Sequence, residues 1–315
     1  MTFSNGIIKS LERELLTSAT LMRIIDEPDY KSACAALKEQ GFGKGVTADG
    51  DAEKLFLAET LALDDFAREF SPGKQYSEFC LSGIDFYNAE RYLRSEYLKG
   101  FEFTQTRTGL VKDIPAALKK GGNEVPAEIG KAYAEGKELF EKGKATGAEI
   151  SSIFLKAKYS RLLKKCGGEL GKFVKNDIDA KNVSSALRVK NEEDLDALFI
   201  DGGNLPKSDV AFICAAEAER VEKKFAFTPF KDMIATAESE KAAGLPLVKF
   251  EAEADGFALR ELKKRKYDTE GATPFLLYYL YKSAEIKNAR IIVAGKRAKA
   301  SAEDIKRRLR TGYDG

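Results

Sequence analysis

Three times along the chain an acid is followed three residues later by an asparagine with apolar or small residues four before and four after it. The three are Asp85-Phe-Tyr-Asn88, Asp179-Ala-Lys-Asn182 and Glu285-Ile-Lys-Asn288, with flanks Ile84 and Tyr92, Ile178 and Ala186, Ala284 and Ile292. Residues four apart share a helix face, so on helices each Asn lies among apolar neighbours and is expected to be buried. The acid is its neighbour across one turn, placed to accept from the amide that burial would otherwise leave unpaired. Recurrence at intervals of about a hundred residues points to three copies of one unit. The copies also agree pairwise: Arg94 and Arg188 each fall six after their Asn, and Lys190 and Lys296 each fall eight after theirs. Asp201-Gly-Gly-Asn204 has the same spacing in a glycine turn and reads as an accidental match.

Helical periodicity dominates elsewhere. Ile7, Leu11, Leu15, Leu16 and Ala19 form one stripe, and Leu55, Ala58, Leu61, Ala62 and Phe66 a second. Phe154, Ala157 and Leu162 form a third, with Lys158 and Arg161 as a snorkelling rim. The only short β-like run, Leu245 to Phe250, contains a proline, which argues against an internal strand. Gly and Pro cluster at 41–45, 108–115, 121–126, 167–168 and 201–206, which places subdomain joints near 113 and 206. Helix starts are expected at Ser151, at Ser208-Asp209 and at Ser301, the last with Asp304 at the third position.

These residues resemble a known family. Asp179 to Asn182, followed by Ala186-Leu-Arg188-Val-Lys190 and Leu198-Phe-Ile-Asp-Gly-Gly203-Asn-Leu, resembles the central repeat of the C subunit of archaeal and bacterial V-type (A-type) ATPases, whose eukaryotic counterpart is the d subunit. The block from Tyr278 to Lys296, continuing through Ser301 to Leu309, looks like the end of the same protein, and Arg13-Glu-Leu-Leu16 fits its first helices. The first copy departs from the pattern, with Glu96 where the second has Lys190 and without the Gly-Gly turn.

The resemblance implies an all-α fold of three similar helical subdomains, 1–113, 114–206 and 207–315, in a pseudo-threefold funnel. It implies a non-catalytic rotor adaptor that joins the central stalk to the membrane proteolipid ring for ATP-linked H⁺ or Na⁺ transport. Such an adaptor is one copy in the complex, cytoplasmic and peripheral to the membrane, with no cofactor. Carried over residue by residue, the signature positions are Asp85, Asn88, Asp179, Asn182, Arg188, Glu285, Asn288 and Arg290, read as structural, with partner contact as the alternative. The rival from another class is a free-standing helical-repeat enzyme or anion-binding scaffold using the basic stretch 287–310.

Composition bounds both readings. The chain has no histidine, which removes His-based triads, Cys-His pairs and His-Glu-x-x-His metal sites. Gly41-Phe-Gly-Lys-Gly45 lacks the phosphate-loop spacing, and Gly167-Gly-Glu-Leu-Gly-Lys172 is followed by Phe173 rather than a hydroxyl. A net charge of +2 gives no global reason to expect nucleic acid. Charge is uneven, however: 49–69 is acidic and 287–310 basic, read as solvated helix faces or docking patches. Lys263-Lys-Arg-Lys266 with Tyr267 reads as a solvated helix end.

Cys34, Cys80, Cys166 and Cys214 show no Cys-x-x-Cys and read as core residues in a reducing compartment, with Cys214 the candidate for complete burial. Phe275, Tyr278, Tyr279 and Tyr281 read as core rather than as an aromatic docking patch. No signal-peptide pattern opens the sequence, and the longest mainly apolar run, 272–281, is about half a membrane span. Membrane association is therefore expected through a partner.

Overall fold

A computed structural model describes residues 2–46, 51–120, 124–189, 191–265 and 271–314. Regular structure among them is α-helical, and a parallel bridge joins Thr17 to Tyr313. In chain order the helices are α1 Thr2–Glu12, α2 Ser18–Asp26, α3 Tyr30–Glu39, α4 Ala52–Phe70, α5 Lys74–Tyr97, α6 Ile114–Lys119, α7 Ala127–Glu141 and α8 Gly147–Lys165. Then follow α9 Gly168–Arg188, α10 Glu192–Leu198, α11 Lys207–Ala215, α12 Ala218–Phe225, α13 Lys231–Ala242, α14 Val248–Lys263, α15 Thr273–Arg297 and α16 Ala302–Arg308. They group into two compact units, one of Met1–Pro72 with Glu217–Gly315, the other of Gly73–Ala216.

The first unit is organised on α15, which packs against α1, α2, α3, α4, α14 and α16. Its N-terminal half is apolar on more than one side, and Phe275, Tyr278 and Tyr281 are all buried. Phe66 of α4 stacks on Phe275 at 5.2 Å and lies 4.6 Å from Tyr278. The expected aromatic core is thus present, with Tyr279 half-buried at its edge. The second unit is built on α5, against which α6, α7 and α8 pack. Phe86, Leu93, Ile114, Ile129, Ile150 and Phe154 lie in its core. Gly136 lets α7 approach this closely, because a Cβ there would stand 2.6 Å from Leu93 Cδ2.

Several expectations need correction. Leu61 of α4 is 38% exposed and Ala62 is exposed too, while Glu59, Leu63 and Asp64 turn inward. The second stripe therefore holds only at Leu55 and Phe66, because α4 spends part of its buried face on carboxylates with partners. Ile7 and Leu11 are half-buried and Ala19 exposed, for α1 ends at Glu12 and the stripe crosses the break. Helix α8 begins four residues before Ser151, capped by Thr146 in a reciprocal box with Glu149. Pro206 precedes α11, leaving Ser208 and Asp209 inside its first turn. Ser301 caps α16 as expected, accepting from Asp304 N at 3.1 Å.

Cys34, Cys80 and Cys166 are buried thiols outside any disulfide, whereas Cys214 is the half-buried one, on the flank of α11 beside the inward Val210 and Ile213. The run 245–250 forms a bend and the start of α14 rather than a strand. Asp49, Gly121, Gly122, Lys190, Lys266 and Tyr267 lie outside the described residues.

Candidate functional site

All three signature pairs lie on helices and all six side chains are buried, none more than 3% exposed. Their partners differ from the expected ones. Asn88 Nδ2 donates to Arg107 O at 2.9 Å, Asn182 Nδ2 to Ile200 O at 2.8 Å, and Asn288 Nδ2 to Arg310 O at 3.1 Å. The last two amides are returned the favour: Ile200 N donates to Asn182 Oδ1 at 2.8 Å and Arg310 N to Asn288 Oδ1 at 2.7 Å. Each Asn thus mimics a peptide group and pairs with a backbone segment 18 to 22 residues downstream. In none of the copies does the Asn amide go to the acid one turn before it. The physical reason is supply: an extended loop leaves its own N–H and C=O groups unpaired, and a buried amide satisfies both.

The acids do the same for the next turn of that loop. Asp85 accepts from Leu110 N at 2.9 Å and Val111 N at 3.1 Å. Asp179 accepts from Asn204 N at 2.8 Å, Leu205 N at 3.0 Å and the Asn204 side chain at 2.9 Å. Both carboxylates reach the backbone across a glycine. A Cβ on Gly109 would lie 2.3 Å from Asp85 Oδ1, and one on Gly203 would lie 2.1 Å from Asp179 Oδ1. The single Gly109 therefore stands where the second copy has Gly203, each 24 residues after its acid. The first copy thus keeps the glycine that meets the acid but not its neighbour, Gly202 in the second copy, whose φ of +93° and whose Cβ position 2.3 Å from Leu163 Cδ1 also call for glycine. Asp201 to Asn204, the accidental match, is the receiving loop of the second copy.

The third copy is built differently. Glu285, one methylene longer, accepts from Leu16 N at 2.7 Å, a backbone group 269 residues upstream. Lys282 Nζ lies 2.5 Å from Glu285 Oε1 and 2.6 Å from Glu59 Oε2, and Glu59 in turn accepts from Gly43 N at 2.5 Å. One half-buried cation therefore bridges two buried carboxylates, and each carboxylate holds a loop of the first unit. Burial by itself lowers the Lys282 pKa, but the two adjacent charges outweigh it and hold the ammonium above its ordinary value. Burial pushes Glu285 upward, with Lys282 and the Leu16 amide pulling back. Burial likewise pushes Asp85 up to about 6 against the amides of Val111 and Leu110.

The signature arginines are dispersed. Arg290 is exposed, pairs with Glu53 at 3.1 Å and covers the Phe56 ring at 4.8 Å. Arg188 is exposed at the end of α9, on the wall of a cavity of about 1240 Å³ in the second unit. Arg94, the residue matching it in the first copy, is half-buried and joins Glu90 at 2.7 Å, Gly147 O at 2.8 Å and Ser151 Oγ at 3.0 Å. Lys296 donates to Glu27 O.

The basic stretch 287–310 is partly neutralised within the fold: Arg290 by Glu53, Arg307 by Glu240 and Arg310 by Asp255. Glu53 belongs to the acidic stretch, so the two uneven patches partly face each other. No group of three or more metal-ligating side chains occurs among the described residues, and no helix there is long and apolar enough to cross a membrane.

Sequence reasoning passed over Glu59 and Lys282, and read Gly109 and Gly203 as turn residues without linking either to its acid. The glycines carried a usable signal, their common distance from the acid. Glu59 and Lys282 carried none, since each looks like an ordinary helix charge.

Helices carrying a buried acid and Asn that grip distant backbone thus recur three times along the chain. The model of the ATP synthase (C/AC39) subunit family matches residues 4–308. The C subunit of the A-type ATP synthase of Halorubrum lacusprofundi is 24% identical over 302 aligned positions, covering 87% of this chain and 87% of its own. That of Haloquadratum walsbyi is 23% identical over 322 positions, covering 92% and 89%. That of Haloferax volcanii is 28% identical over 141 positions, covering 44% and 40%. With a match that takes in all three signature pairs, the chain belongs to the ATP synthase (C/AC39) subunit family.

Proposed function

We propose that this chain is the non-catalytic rotor adaptor of an A-type or V-type rotary ATPase, holding the central stalk to the membrane proteolipid ring so that ATP chemistry and H⁺ or Na⁺ movement turn together. It acts as one copy, peripheral to the membrane through the complex. The observation that carries this reading is the family match over nearly the whole chain.

The three copies, 1–113, 114–206 and 207–315, form a closed pseudo-threefold arrangement in this reading. Two packing relations support it. Within the second unit, α8 of the second copy lies against α5, the motif helix of the first. Within the first unit, α4 of the first copy lies against α15, the motif helix of the third. Each relation lies within one unit and sets a helix of one copy on the motif helix of another.

Torque passes through such a body only if its elements do not slide. The signature residues supply that stiffness: each Asn and acid pins a motif helix to another segment by buried, partly charge-assisted hydrogen bonds. Asp85, Asn88, Asp179, Asn182, Glu285 and Asn288 are structural on this account. Arg188 and Arg290 are the two signature positions with exposed side chains.

Affinity-tagged chain expressed in its native cell tests the function. Co-purification of other rotary-motor subunits, and ATP hydrolysis that no longer drives ion transport when the chain is depleted, are the expected results. A chain that emerges alone, with coupling unaffected by its loss, overturns the proposal.

A further inference from the structure

Between α5 and α6 the chain runs back along the motif helix of the first copy as an extended segment. Side-chain exposure alternates at every residue from 101 to 108: Phe101, Phe103, Gln105 and Arg107 are half-buried, while Glu102, Thr104, Thr106 and Thr108 face solvent. A period of two is that of a β-strand. The inward residues are fastened. Phe101 lies against the Arg91 guanidinium at 4.8 Å, and Phe103 meets Tyr92 edge-on at 5.7 Å. Gln105 Nε2 donates to Lys112 O at 2.9 Å, and Arg107 O accepts from Asn88. Yet no described residue makes a hydrogen bond to the main-chain N–H or C=O groups of residues 102–106. In a slack loop that would be ordinary, but here the extended form is already set by the side chains.

The other two copies do not leave this stretch open. There a short helix, α10 or α16, ends two residues before the backbone that Asn182 or Asn288 grips, and pairs part of its own main chain. In the third copy the stretch after α16 also takes an extended neighbour: Thr17 and Tyr313 form a parallel bridge, with Ser18 N donating to Tyr313 O at 3.1 Å. Beside the open segment of the first copy, Arg91 is stacked between the ring of Phe101 and that of Tyr87, which is 5.6 Å away and 57% exposed. The charges around it are mixed. Lys99 and Glu102 are exposed, Glu90 is engaged by Arg94, and Glu96 accepts from the Tyr133 hydroxyl. No carboxylate among the described residues pairs with Arg91, so its guanidinium is held flat by two rings with its donors unpaired. An open strand edge selects another strand, because extended backbone offers donors and acceptors at matching intervals, and a flat guanidinium selects a carboxylate.

We propose that residues 101–106, with Tyr87 and Arg91, are a docking edge that takes an extended segment of another protein as an added strand, an acidic side chain of that segment resting on Arg91. Main-chain bonds to residues 102–106 supply the attachment, and Arg91 supplies the choice of partner. The pre-formed edge needs little ordering on contact. The proposal stands on the backbone and side chains of this segment and not on the rotary reading.

The full chain is mixed with a short synthetic peptide that alternates threonine and valine and carries one aspartate, and amide exchange is followed residue by residue by NMR. One control peptide has asparagine in place of the aspartate. Another carries backbone N-methyl groups, which keep the side chains and remove the donors. In the chain alone the amides of residues 102–106 should exchange freely, and the aspartate peptide should slow every second one of them. The asparagine peptide should bind roughly fivefold more weakly, and Arg91→Gln should erase that difference. The N-methylated peptide should give no protection. Amides of 102–106 already protected in the chain alone, protection without the two-residue alternation, equal binding of the N-methylated peptide, or no protection at millimolar peptide overturns the proposal. So does protection that grows with protein concentration alone, which marks a second copy as the occupant. No motor subunit is present in this assay, so its failure leaves the adaptor reading standing, and a failed co-purification leaves the edge standing.

Discussion

Leu16 N–H donates to Glu285 Oε2 at 2.7 Å, joining the segment between α1 and α2 to the middle of α15 across 269 residues. In the first two copies a carboxylate takes its amides from a loop about 25 residues downstream. In the third the N-terminal segment supplies that amide, so the first and last parts of the sequence share one buried charge site.

Lys282 is the residue on which that site depends. Replacing it by Met leaves Glu59 and Glu285 buried without their cation, at an expected cost of about 3–5 kcal/mol at neutral pH. Glu285 is already raised by burial and rises further without Lys282, so the variant should regain stability relative to wild type as the pH falls and this carboxyl takes a proton. Denaturant midpoints of both proteins across pH measure this. A deficit that stays constant from neutral to acid pH contradicts it.

Asn288 and Glu285 are one turn apart yet grip different backbone, Arg310 and Leu16. Asn288→Leu should strand both backbone groups of Arg310, at about 1–3 kcal/mol for each unpaired group. Adding Glu285→Leu should cost close to the sum of the two single changes, since they share no partner. Chemical denaturation of the four proteins gives the coupling. A value above about 1 kcal/mol would restore the direct acid-to-Asn bond that the spacing first suggests.

Gly203→Ala should behave in the opposite way. The new methyl would meet Asp179 Oδ1 at 2.1 Å, so the carboxylate must leave the Asn204 and Leu205 amides, at a cost of about 2 kcal/mol or more. In an Asp179→Ser background the same methyl should cost much less, because the atom it strikes is gone. Equal costs in both backgrounds would show that the backbone yields instead.

Asp85 has a folded-state pKa near 6 against an ordinary 3.8. A carboxyl raised by folding favours the folded state when protonated, and that advantage disappears as pH climbs from about 4 to about 6. Asp85→Asn cannot titrate and faces one of the two loop amides with its own NH₂, so it starts less stable. The gap to wild type should be widest near pH 4 and shrink by up to about 3 kcal/mol on passing pH 6. Parallel pH profiles would refute this.

The sequence by itself determined the inward face of the three motif helices, though not of α1 and α4. Period and neighbours were enough to place Asn88, Asn182 and Asn288 in the core, to bury Phe275, Tyr278 and Tyr281, to cap α16 at Ser301 and to break the chain at 201–206, because each of these is settled within a turn or two of helix. The partners of the buried polar groups were decided only by tertiary structure. An amide that must be satisfied takes whichever unpaired backbone arrives beside it, and a spacing of three residues says nothing of a loop 18 or 22 residues on, still less of Leu16. The same reason hid Glu59 and Lys282. A charge reads as a solvent group until an opposite charge from a distant helix meets it in the core, and that meeting of α4 with α15 is a property of the fold and not of either helix.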